Sequence, residues 1–121
     1  MKLGVKTVED VLVLTPHGMQ LGGEETDAFE DKVRELDKNG NRKLLIDLGQ
    51  TTFMNSLGLT VLFLAHAKYA RRGATVKLCA VAPKLRQVFE LVRLTRVYDR
   101  NVHHTEEEAL AAFRAMREAA E

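Results

Sequence analysis

Cysteine is almost missing from this chain. Cys79 stands alone among 121 residues, so no internal disulfide can form. That excludes a small disulfide-stapled scaffold and points to a reducing, cytoplasmic setting. An excess of charge of either sign is missing too. Lys and Arg number 18 against 17 Asp and Glu, for a net charge of +1. Obligatory nucleic-acid binding needs a clustered basic surface, which this balance does not supply. The densest basic group, Arg71-Arg72 with Lys68, suits the end of a helix, where cations meet the negative end of the dipole. No apolar run reaches the ~18 residues of a membrane span. Met1–Asp10 alternates and carries charges throughout, unlike a signal peptide.

Catalytic signatures are equally scarce. Gly22-Gly23 lacks the Lys-Ser/Thr of a phosphate-binding loop. No Gly-x-Ser-x-Gly elbow is present, and no Ser-His-Asp set stands out. His17, His66 and the adjacent His103-His104 have no Cys or carboxylate partners at ligand spacing. They read as loop or helix-flank residues, so no metal and no cofactor are expected. Cys79 reads as a small buried hydrophobe.

What the chain does have is clear periodicity. Leu3, Val5 and Thr7 alternate, Glu9-Asp10 interrupts, and Val11–Leu14 runs up to Thr15-Pro16, giving two strands and a tight acidic turn. Gly18, Gly22 and Gly23 mark a loop. Phe29, Val33 and Leu36 form the stripe of an amphipathic helix that starts with Glu24-Glu25 and stops at Asn39-Gly40. Leu44-Leu45-Ile46, ending in Asp47, is a short apolar run suited to a strand covered on both faces. Asp47 itself is suited to capping the loop that follows. Thr51-Thr52 fall in that polar loop. A helix from about Ser56 follows, with Leu59, Leu62, Phe63 and Ala70 inward and Gly73 as its end. Ala74–Val81 reads as a strand. Pro83 opens a helix with Leu85, Val88, Phe89 and Val92 on one stripe. Arg96-Val97-Tyr98 reads as a short edge strand. Thr105 to Glu108 is a capping box for a last helix that turns Leu110, Phe113 and Met116 inward, with Ala119-Ala120-Glu121 expected to fray.

The order β-β-α-β-α-β-α-β-α implies an α/β fold. Its largely parallel central sheet has about five strands and four helices, with one domain over residues 1–121. The segment Leu44 to Gly73 holds the candidate site. Ser56 sits where a strand's loop turns into a helix, beside unpartnered backbone N–H groups and the positive end of the dipole. No base is placed to activate it as a nucleophile. The position instead tolerates a phosphate, or a partner that senses one. A plain helix cap competes with that reading. If Asn55 is the cap, Ser56 moves to the first helical position and its hydroxyl is more exposed.

The element order and Phe53-Met54-Asn55-Ser56-Leu57-Gly58-Leu59 resemble the STAS domain of bacterial anti-sigma-factor antagonists. That family has an apolar strand ending in Asp, then an apolar residue, Asp-Ser-Ser/Thr-Gly-Leu and a helix. Ile46-Asp47-Leu48 is similar to its strand end, Ser56 to its first Ser, and Gly58-Leu59 to its Gly-Leu. Cys79–Pro83 with Val88–Leu91 is similar to its next strand, Pro-led turn and helix. The chain departs from the family pattern in three places. Asn55 replaces an Asp, Leu57 replaces the second hydroxyl residue, and Gly18-Met19-Gln20-Leu21 stands where the family has Gly-Glu-Leu-Asp.

The resemblance implies a non-enzymatic binding module. It implies that Ser56 is the phosphoacceptor of a serine kinase that doubles as an anti-sigma factor, with ATP bound by that partner. The unphosphorylated protein would bind the kinase and free the sigma factor, and phosphorylation would release it. Met54, Asn55, Leu57, Gly58, Gln20, Leu21 and Gly22 are then the expected partner contacts, and a cytoplasmic monomer is expected. The alternative is a structural subunit in a signalling scaffold or a lipid-transporter ATPase complex.

Overall fold

The structure, a computed structural model, describes residues 3–120. Strands β1 (Leu3–Val8) and β2 (Val11–Pro16) form an antiparallel hairpin, and Glu9 at φ 56° closes its two-residue turn. Next come a short strand β3 (Gly18–Gln20) and helix α1 (Glu24–Lys38). Strand β4 (Lys43–Asp47) leads to β5 (Thr51–Met54) and helix α2 (Ser56–Arg71). Strand β6 (Thr75–Cys79) precedes α3 (Pro83–Leu91) and α4 (Leu94–Tyr98). The chain ends with β7 (Val102–His103) and α5 (Glu106–Ala120). Of the end expected to fray, Ala119 and Ala120 belong to α5, and Glu121 lies outside the described residues.

The main sheet has the order β1-β2-β4-β6-β7, parallel except for β1. Strand alternation sorts the core into two layers. Leu14, Leu44, Ile46, Val76 and Leu78 point to one face, under Phe29 and Val33 of α1, Leu59, Leu62 and Ala65 of α2, Phe89 of α3 and Tyr98 of α4. Val11, Val13, Leu45 and Cys79 point to the other, where α5 packs with Ala109, Leu110 and Phe113. β4 is therefore covered on both sides, as its unbroken apolar run requires.

The element order differs from the sequence reading in three places. Arg96-Val97-Tyr98 is helical, because Leu94 and Tyr98, one turn apart, both reach the core. The Tyr98 hydroxyl donates to Leu62 O at 2.6 Å in that buried setting. The edge strand is instead β7, so His103 is a sheet residue and not a free loop histidine. The segments around Gly18 and Thr51, expected as loops, pair with each other as the parallel strands β3 and β5. Three side chains expected on inward stripes are at the surface: Ala70 is exposed, Met116 is 40% exposed, and Val92, which follows α3 as its C-cap, is 41% exposed.

Candidate functional site

The β3–β5 pair builds the platform under Ser56. Its register sets Met19 beside Phe53 and Gln20 beside Met54. Alternation then turns Gln20 and Met54 into the core and Met19 and Phe53 out to solvent. Gln20 and Met54, expected at a partner surface, are almost fully buried. They support the site from below, because strand pairing puts them on its inner face.

Gln20 is the hub of that support. Its Nε2 donates to His17 O at 3.3 Å, and its Oε1 accepts from Thr26 Oγ1 at 3.3 Å. Thr26 Oγ1 in turn accepts from Gly22 N at 2.9 Å, fixing the turn into α1. The backbone of Gly58 lies directly on Gln20. A Cβ at position 58 would stand 2.5 Å from Gln20 O and 2.8 Å from Gln20 Cβ. Gly58 is thus needed for close approach of α2 to β3, and it is buried rather than available for contact. Gly22, at φ +88°, is covered by the Leu57 side chain, with which any Cβ there would collide.

Asn55 caps α2. Its Oδ1 accepts from Leu57 N at 3.0 Å and Gly58 N at 3.3 Å. Its Nδ2 donates to Leu21 O at 3.0 Å, and its backbone N to Gln20 O at 3.2 Å. A carboxylate at 55 could accept as Asn55 does but could not donate to Leu21. Asn55 therefore binds the loop after β3 to the helix start, a function that an Asp could not perform.

The cap also changes the picture of open amides beside Ser56. A helix start has four N–H groups without intrahelical partners. Asn55 N, Leu57 N and Gly58 N all have acceptors here, and the fourth belongs to Ser56 itself. Ser56 is not the cap. It occupies the first helical position and is exposed. Around it stand four exposed apolar side chains: Met19 (54%), Leu21 (42%), Phe53 (46%) and Leu57 (55%). Just past Gly22, which Leu57 covers, the first turn of α1 carries Glu24, Glu25 and Asp27, all exposed. In the sequence reading Met19, Phe53 and these acids are not assigned to the site, and Glu24-Glu25 are helix-start residues only. The β3–β5 register that would reveal the first two is a long-range pairing.

Asp47 serves the loop, as expected, with Oδ1 accepting from Gly49 N at 2.8 Å. Burial pushes its carboxyl above the ordinary value, against the pull of the Gly49 amide, and Glu106 nearby adds to the rise. Cys79 is buried, which pushes its thiol up to about 12 and leaves it inert. Among the described residues no group of three His, Cys, Asp or Glu is placed to hold a metal.

A model of the STAS domain matches residues 2–109. The chain belongs to the STAS domain family. BtrV of Bordetella bronchiseptica, provisionally assigned as an anti-sigma factor antagonist, is 26% identical over 114 residues, 94% of this chain and 96% of BtrV. A Thermotoga maritima protein with the same provisional assignment has a crystal structure of TM-score 0.84 at 24% identity, covering 93% of this STAS chain and 94% of that one. SpoIIAA in its unphosphorylated form, described as an anti-sigma factor antagonist, gives a TM-score of 0.72 at 17% identity, with 93% and 98% covered. Its phosphorylated form, from Bacillus, gives 0.74 at 16%, with 93% and 99% covered. These structural likenesses establish the STAS fold. The same fold occurs in SulP transporters. No helix among the described residues is long and apolar enough to cross a membrane.

Proposed function

We propose that this STAS domain is an anti-sigma-factor antagonist that works by partner switching. Unmodified, it docks on a serine kinase that also restrains a sigma factor. Phosphorylated at Ser56, it is released. It is the kinase's substrate and no enzyme itself, ATP belongs to the partner, and it acts in the cytoplasm as a single-domain monomer.

The observation that carries this reading is the place of Ser56. Its hydroxyl is exposed at the first position of α2, amid Met19, Leu21, Phe53 and Leu57. Asn55 performs the capping, so the serine is free for another use. A phosphate there adds roughly −1.5 to −2 charges at neutral pH. The fold accommodates it, since the group faces solvent at the positive end of the dipole. A docked partner does not. Burying an unpaired ion against apolar side chains costs at least several kcal/mol, and each 1.4 kcal/mol is about tenfold in affinity. Glu24, Glu25 and Asp27 make the neighbouring start of α1 acidic, which favours a partner with a basic rim.

The partner-contact set becomes Met19, Leu21, Phe53 and Leu57, with Gly22 and Asn55 shaping the loop and Gln20, Met54 and Gly58 beneath. A pull-down from the native host with wild type, Ser56→Ala and Ser56→Asp, read by mass spectrometry, tests this. Wild type and Ser56→Ala should capture a kinase-like ATPase, and Ser56→Asp should not. Equal capture of that ATPase by Ser56→Asp overturns the switch. Capture of transporter or scaffold subunits, indifferent to position 56, makes the chain a structural subunit instead.

A further inference from the structure

A half-open cleft of about 260 Å³ lies at the other end of the parallel strands from Ser56. It is lined by Arg42 and Lys43 at the start of β4, Gly73 and Thr75 at the start of β6, and Met116 and Arg117 near the end of α5. Three of these six residues are cations and none is an acid. Drug-sized ligands fill about 300–1,000 Å³, so this cleft suits a smaller one.

The three cations are incompletely engaged. Arg42 donates to Arg72 O at 3.3 Å and Gly73 O at 2.8 Å, closing the end of α2, and both partners are neutral carbonyls. Those bonds use two of the five guanidinium donors. Arg117 reaches Glu9 Oε2 at 3.4 Å, and Arg114 holds the other oxygen of the same carboxylate at 2.7 Å. Lys43 pairs with Asp10 at 2.5 Å, across a half-exposed turn. The Arg117–Glu9 pair is exposed on both sides and contributes little, so an incoming anion can compete with it. Lys43, 19% exposed, stays with Asp10 and adds its charge to the rim. Met116 supplies the apolar element, a flexible thioether 40% exposed beside three cations.

We infer that this cleft binds a small aliphatic carboxylate, its head between Arg42, Arg117 and Lys43 and its tail on Met116. The guanidinium fork matches a carboxylate. The site is independent of the Ser56 face, so the inference stands whether or not that face meets a kinase.

The test is a ¹⁵N–¹H NMR titration of the full chain with octanoate, with acetate (head alone) and octanol (tail alone) alongside. Octanoate should bind at least tenfold tighter than either, with the largest shifts at Lys43, Gly73, Thr75 and Met116. Arg117→Gln and Met116→Glu should each weaken it about tenfold. Arg117 is the first choice, since Arg42 also closes α2. Equal binding of octanoate and acetate, shifts centred elsewhere, unchanged affinity in both variants, or no saturation at millimolar octanoate would each overturn the inference.

Discussion

At the scale of single residues, Gly58 and Asn55 decide how the Ser56 face is presented. Ala is the better helix former by about 1 kcal/mol. At position 58, however, its methyl would meet Gln20 O at 2.5 Å, where backbone cannot yield cheaply. Gly58→Ala should therefore destabilise by about 1–3 kcal/mol, read as a lower urea midpoint. Asn55→Ala removes the cap and should cost about 1 kcal/mol. Asn55→Asp restores an acceptor, and its charge is favoured at a helix start by about 0.3–1 kcal/mol. It loses the bond to Leu21 O. Its stability should stay within about 0.5 kcal/mol of wild type while amide exchange at Leu21 and Gly22 speeds up. Unchanged exchange there would show that Asn55 does not hold the loop. Ser56 was legible in the sequence because a hydroxyl before Gly-Leu at a strand-to-helix turn is a local pattern. The division of labour between Asn55 as cap and Ser56 beside it was open until the geometry fixed which oxygen faces the amides.

At the scale of elements, β7 and α5 are held to β6 by an unusual buried lysine. Lys77 Nζ donates to Asn101 Oδ1 at 2.8 Å, lies 3.3 Å from His103 Nε2 and sits 5.3 Å from the Phe113 ring centre. Burial lowers the Lys77 pKa. Burial also lowers that of His103, with the Lys77 charge adding to the fall and Glu108 opposing it. Neutral His103 with its proton on Nδ1 can accept from Lys77 at Nε2, and protonated His103 would set two cations face to face. A group with a depressed native pKa binds protons more readily when unfolded. His103 thus contributes stability in full above its ordinary value of about 6.5, and that contribution is lost as pH falls through the native value. Asp47, with its raised pKa, acts oppositely, stabilising at low pH and losing that effect as pH rises through its native value. His103→Gln isolates the first effect. Urea midpoints between pH 7 and 5 should fall more steeply for wild type than for the variant, and parallel slopes would contradict the role of the pair. Sequence could not announce this arrangement. Lys77 reads as the polar position of an alternating strand, and only the packing of α5 buries it.

At the scale of the whole molecule, the two faces of the sheet are unequally covered. Four helices, α1 to α4, share one face, and α5 is the cover of the other among the described residues. Phe113 is the largest side chain in that second layer. Phe113→Ala should cost about 3–5 kcal/mol and loosen α5, read as early loss of helix signal in thermal unfolding. The Ser56 face, built on the opposite layer, should keep its NMR shifts under native conditions. By itself the sequence determined the alternation of strands and helices, the doubly buried β4, most caps and stops, and the serine at the head of α2. Those features are written in local periodicity and in residues with fixed conformational preferences. Tertiary structure decided the rest. The pairing of β3 with β5 joins segments more than thirty residues apart. That pairing put Met19 and Phe53 outside and Gln20 and Met54 inside. The turn of Arg96–Tyr98 into helix followed from Leu94 and Tyr98 finding the core. Register and burial are properties of what packs against a segment, and a short, polar or Gly-rich segment does not carry that information alone.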